Sequence, residues 1–313
     1  RPSLAVPVLA AAVAMLSLAR ADLGLPDMAS LPGFGGGDDS SEVNHCSPEL
    51  LARYPSGWPH KLDSGIYWYG RGDQYLKAVP GVPNPFYDKT KPTLLYFHGW
   101  LGGSTTTRCW RVTMTCTPFV CPMGGQLMAD PWLERGWNIG FFYWDQFADE
   151  PCMRDAEQKI WFDRNGNGLR WASYDVANGT ASYERFAGRA LSVADICADA
   201  VRASMGDFLG PTVRFVGRSI GSQLAVRCAA KLHEEGHPAA PQRMGMLEPF
   251  FTTHSVSFLG ASFRCDKLVT DYGIEGFTAA ATSNLVVGLW NRSRVVTEVY
   301  TSAKPGDSGI EGK

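Results

Sequence analysis

A chain of 313 residues is long enough for one large α/β domain or two modest ones, and for a sizeable buried core. With 45% hydrophobic and only 19% charged residues, it is neither disordered nor supercharged. Lys and Arg number 29 against 31 Asp and Glu, a net charge of −2 with no basic face, which argues against a nucleic-acid partner.

In chain order, residues 4–18 (LAVPVLAAAVAMLSL) form an apolar run preceded by Arg1 and followed by Ala19-Arg20-Ala21. A basic start, a short hydrophobic region and a small-x-small site read as a signal-like segment, residues 1–21. The run has about 15 residues, short of the roughly 20 that a membrane-spanning helix needs, and a retained membrane anchor is the rival reading. Residues 22–44 are rich in Gly, Pro, Ser and Asp, show no period, and read as a linker. The globular domain is expected over 45–313.

Within it, short apolar strands alternate with helical patterns. Strands are predicted at 93–98 (TLLYFH), 138–144 (NIGFFYW), 212–217 (TVRFVG), 243–247 (RMGML) and 295–300. Between them fall helices at 189–209, where Ala194, Cys197, Val201, Met205 and Phe208 recur every three or four residues, at 219–233 and at 274–290. This alternation predicts an α/β fold: a mostly parallel sheet flanked by helices, in a single domain.

Eight cysteines, at 46, 109, 116, 121, 152, 197, 228 and 265, point to an oxidising compartment, either secreted or an organelle lumen. Only Cys116 and Cys121 approach the spacing of a zinc knuckle, and no second pair answers them. Cys109, Cys116, Cys121 and Cys152 fall in loop-like segments and read as disulfide partners. Cys197 and Cys228 lie in helical patterns, where buried free thiols are an equal alternative. Asn178-Gly179-Thr180 and Asn291-Arg292-Ser293 are sequons compatible with a secreted route. Residues 163–168 (DRNGNG) match the first half of a calcium loop, but its twelfth position is Tyr174 rather than Glu, so the segment reads as a turn. No metal and no cofactor is expected. The pair Asp149-Glu150 reads as a solvated loop, and Trp144, Trp161 and Trp171 either fill core or line a pocket.

Chemistry concentrates at Gly217-Arg218-Ser219-Ile220-Gly221, a G-x-S-x-G segment that follows one apolar strand and opens the next helix. That setting is a nucleophile elbow: the turn is tight, the flanking positions tolerate no Cβ, and the serine sits where unpaired helix N–H groups favour negative charge. An acyl-transfer serine also needs an oxyanion hole, commonly two backbone N–H groups. Ile220, the next residue, supplies one; Trp100, just past the strand that ends in His98-Gly99, supplies the other.

In this order, the segments LLYFHGW, FVGRSIGSQLA and MGMLEPFF, with NIGFFYWDQFADE between the first two, resemble the α/β-hydrolase superfamily and, within it, secreted lipases of the pancreatic-lipase type. The resemblance covers about 93–251 and implies a serine ester hydrolase acting on an ester or lipid substrate; a membrane surface or membrane complex is a further candidate partner, through residues 4–18. It also implies that Glu248 is the acid, in place of the usual Asp, while Arg218 stands where His or Tyr is common. The base should be a histidine after the acid. Of six histidines only His254 follows Glu248, so either His254 is the base or the base lies outside these residues. A catalytically silent hydrolase fold serving as an accessory or binding subunit is the second reading.

Overall fold

The computed structural model describes residues 46–116, 126–162, 169–188, 192–252, 257–258, 261–262 and 278–301. The signal-like segment, the linker, Cys121, Cys265, residues 163–168 and His254 lie outside the described residues.

A seven-stranded sheet organises the chain, in the order β13-β10-β9-β3-β6-β1-β2. Its parallel strands are β3 (Thr93–Phe97), β6 (Asn138–Tyr143), β9 (Val213–Arg218), β10 (Arg243–Leu247) and β13 (Val296–Tyr300). Two antiparallel strands, β1 (Gly65–Tyr69) and β2 (Tyr75–Lys77), extend one edge. Three two-stranded pairings lie apart from it: β4 (Thr115–Cys116) with β5 (Gln126–Leu127), β7 (Arg170–Asp175) with β8 (Thr180–Arg185), and β11 (Ser257–Phe258) with β12 (Ala261–Ser262).

The helices are α1 (Pro48–Ala52), α2 (Asp130–Leu133), α3 (Asp145–Ala148), α4 (Met153–Trp161), α5 (Val193–Met205), α6 (Gly221–Glu234) and α7 (Thr278–Ser293). Alternation along the strands divides the core in two. Trp68, Leu95, Phe97, Phe142 and Phe215 point to the face covered by α4, α5, α6 and α7. Tyr67, Tyr69, Leu94, Ile139, Phe141 and Tyr143 point to the other, where Tyr54, Trp58, Cys109 and Met114 cover them. Side chains of this size each contribute about 1.5–3 kcal/mol on burial, so both layers hold the sheet. This is the mostly parallel α/β sheet flanked by helices that the strand–helix alternation predicts.

Local signals set the helix limits. Ser192 caps α5 by accepting from the Asp195 N–H at 3.2 Å. The buried stripe Leu224, Ala225, Cys228, Ala229 and Leu232 fixes which face of α6 meets the sheet. Gly236, with φ +64°, takes the chain out of that helix.

Cys197 on α5 is disulfide-bonded to Cys228 on α6, which corrects the free-thiol alternative for both. Cys46 is bonded to Cys109, closing a separation of 63 residues, and Cys152 is also disulfide-bonded. Among the described residues no helix is long and apolar enough to cross a membrane.

Candidate active site

The strand order places the site. From β3 the chain moves to β6 on one side, then returns through α5 to β9 on the other, which makes β3/β9 the point where winding reverses. In open parallel sheets the crevice at the strand C-termini of such a point is the natural binding position.

Ser219 stands there, one residue beyond β9 and two before α6, with φ +54°. A left-handed conformation is rare for a residue with a side chain and persists only where its surroundings enforce it. Three glycines enforce it here. A Cβ on Gly217 would collide with the Gly221 carbonyl, and one on Gly221 with the His98 carbonyl. One on Gly99, at the end of β3, would lie 2.8 Å from the Ser219 Cβ. The Ser222 hydroxyl donates to the Gly217 carbonyl at 2.9 Å, and the Ser219 N–H donates to Leu247 O at 2.9 Å, pinning the turn to β10. Ser219 is half-buried and Ile220 fully buried.

Glu248 occupies the matching position on the neighbouring strand. Leu247 of β10 pairs with Arg218 of β9, so Glu248 and Ser219 are each the first residue past the paired strands at one sheet edge. Glu248 too is left-handed, with φ +45°, and its N–H donates to Tyr300 O at 2.8 Å. Its side chain is exposed. Trp100 leaves β3 at the same edge, its indole donating to Glu150 O at 2.7 Å.

The described histidines have other places. His98 is buried; its Nδ1–H donates to Gly99 O at 2.9 Å, and its Nε2 accepts the Trp144 N–H at 3.2 Å. Those partners fix a neutral ring, and burial pushes its pKa down to about 3 from an ordinary 6.5. The unfolded chain takes up a proton below about 6.5 whereas the folded chain refuses it, so stability present at neutral pH is lost as pH falls through that window. The expected loss is up to about 1.4 kcal/mol per pH unit. Urea unfolding of wild type and His98→Gln from pH 7 to 4.5 checks this: the variant should be weaker at pH 7 but show a flatter decline, and parallel curves count against it. His233 and His237 lie at the far end of α6, about 20 Å along the helix from Ser219. His60 is an exposed turn residue.

Searches found no matching family model and no matching curated protein. Among solved structures, the chain is similar to a structure from a study of two fungal esterases from Rhizomucor miehei, at 14% identity and a TM-score of 0.34, covering 97% of this chain and 90% of that one. It is also similar to the carboxylesterase Cest-2923 from Lactobacillus plantarum, at 9% identity and a TM-score of 0.31, covering 80% and 92%. A third is an inhibited esterase B from Lactobacillus rhamnosis, at 12% identity and a TM-score of 0.27, covering 80% and 78%. Overlaps this loose establish no shared activity.

Behind the site lie charged residues that sequence reasoning missed. Asp149 and Glu150 are both buried, which corrects the solvated-loop reading. Glu150 takes Arg170 at 2.7 Å (Nε) and 2.5 Å (Nη2), and Lys159 at 2.6 Å. Beneath β6, Arg111 bridges Asp63 at 2.8 Å and Asp145 at 2.7 Å, with its guanidinium 4.1 Å from the centre of the Tyr143 ring. Lys77 also pairs with Asp63. Burial raises the Asp63 pKa, but Arg111 and Lys77 outweigh it and hold the carboxyl down at about 2. Glu157, also buried, accepts from Gln223 at 2.6 Å and Thr278 at 2.7 Å, and from Thr252. It ties α6 to the segment that follows Glu248. Trp144, Trp161 and Trp171 are core. The available signal was the density of acids in WDQFADE, directly after a strand whose six residues are all buried.

Proposed function

We propose that the chain is a serine carboxylic-ester hydrolase of the α/β-hydrolase type, working through an acyl-enzyme. The observation that carries this reading is Ser219: a left-handed serine at a strand-to-helix turn, packed by three glycines, at the winding reversal of a parallel sheet. In this reading the Ser219 Oγ attacks the ester carbonyl and gives up its proton to a histidine. The Trp100 and Ile220 N–H groups hold the oxyanion, the alcohol leaves with the proton, and water then releases the acid. Glu248 orients the base, which is His254 or lies outside these residues. The reading extends to a carboxylic ester and leaves lipase character as a finer proposal. The disulfides fit a secreted or lumenal setting.

The test is covalent labelling of the full chain by a fluorophosphonate probe. Labelling that is lost in Ser219→Ala is the expected outcome, and strong slowing in His254→Ala assigns the base to His254 rather than to a histidine outside these residues. No labelling of folded protein overturns the reading in favour of a silent binding subunit. Labelling that survives Ser219→Ala moves the nucleophile elsewhere.

A further inference from the structure

The loop that leaves β3 and carries the Trp100 N–H is tied to residues 148–150, at the end of α3. The buried Asp149 carboxylate accepts three of its backbone amides: Gly103 at 2.5 Å through Oδ1, and Thr105 at 2.8 Å and Thr106 at 2.7 Å through Oδ2. Next to it, Glu150 O accepts the Trp100 indole at 2.7 Å, and Ala148 O accepts the Leu101 N–H at 3.4 Å. Five bonds from three consecutive residues, 148–150, thus fix residues 100–106. Gly102 is part of the fit: a Cβ there would lie 3.1 Å from Glu150 O and 2.5 Å from the Trp100 ring. Gly103, with φ +76°, lets successive amides turn inward to one carboxylate. Nothing in the acyl-transfer scheme uses Asp149, yet an unpaired carboxylate at this depth is costly. A charged acceptor for three amides is stronger than any neutral one.

We propose that Asp149 is the positioning residue of the oxyanion loop, setting through residues 103–106 where the Trp100 N–H sits at the C-terminal edge of β3. This rests on the hydrolase reading above. Asparagine at this position keeps one carbonyl oxygen but turns an NH₂ donor toward amide donors, so the loop should shift while the sheet stays intact.

The experiment compares wild type and Asp149→Asn on p-nitrophenyl butyrate, with active sites counted by fluorophosphonate titration so that misfolded protein drops out. The expected result is a fall in kcat on the order of 10- to 100-fold with KM within about two-fold. Phenylboronic acid, which forms a tetrahedral adduct on serine, should weaken by a similar factor. An unchanged kcat per titrated site, or a change in KM alone, overturns the proposal. Hydrogen exchange decides it independently of activity: amides 100–106 should exchange faster in Asp149→Asn while β3 and β9 stay protected, and unchanged exchange in the loop overturns it. If wild type is not labelled, the hydrolase reading fails, and the exchange measurement still decides whether Asp149 holds the loop.

Discussion

Replacing Arg111 by methionine should destabilise the fold by about 3–5 kcal/mol, the largest loss expected from any single side chain outside the site. The guanidinium is fully buried between Asp63 and Asp145, and both carboxylates are themselves buried. Methionine fills much of the volume but leaves two carboxylates with Lys77 as the remaining paired cation among the described residues, and that pairing is to Asp63. Asp145 keeps the Trp58 indole, at 3.0 Å, which is no substitute for a charge. Removing the carboxylates as well should restore much of the loss, because a buried charge set costs most when it is broken in part. Urea unfolding of Arg111→Met and of the triple variant with Asp63→Asn and Asp145→Asn measures both effects. A single variant within about 1 kcal/mol of wild type would show that the pairing carries little of the stability.

The second large effect concerns Ser219, where two replacements should match in activity and differ in stability. On the hydrolase reading proposed above, both Ser219→Ala and Ser219→Gly remove the nucleophile, and either should cut ester hydrolysis by about four orders of magnitude or more. They should differ in stability. Alanine retains the Cβ and with it the left-handed penalty, whereas glycine adopts φ +54° freely. Ser219→Gly should therefore unfold at higher urea, gaining about 1 kcal/mol over Ser219→Ala. Equal midpoints would show that the turn stores no strain, and retained hydrolysis in either variant would remove Ser219 from the chemistry.

Much of this fold is legible in the residues. The strands β3, β6, β9 and β10 stand out because parallel strands buried on both faces read as continuous apolar runs, whereas β13, at the sheet edge, has no buried residue. The G-x-S-x-G elbow reads through because glycine spacing and the strand–helix junction are local features. Glu248 is legible only by order, as the residue past the next strand. β1 is hidden because GIYWY is aromatic and fully buried, with no polar alternation to betray it, and its partner β6 is distant in the chain. The hairpin of β7 and β8 is hidden for the opposite reason: β8 is exposed throughout and carries no apolar period. The buried acids are the hardest case. Asp149, Glu150 and Glu157 look like ordinary surface charges until the cations and amides that meet them, up to 121 residues away for Glu157, are brought in by the fold.

The junction of β3 and β9 joins strands that begin about 120 residues apart in the chain, with β6 already paired on the other side of β3. Gly99 and Ser219 therefore meet only after a long-range loop has closed, and every strand N-terminal to β9 can be synthesised before any elbow exists. Local contacts alone never bring the two together. Chain entropy makes such pairing late and slow. During refolding, recovery of secondary structure and recovery of a reactive serine should be separate kinetic phases, with reactivity trailing. In the interval the apolar flank of β3 that β9 will cover is an open strand edge, so concentration during refolding decides how much chain reaches the state that has a site.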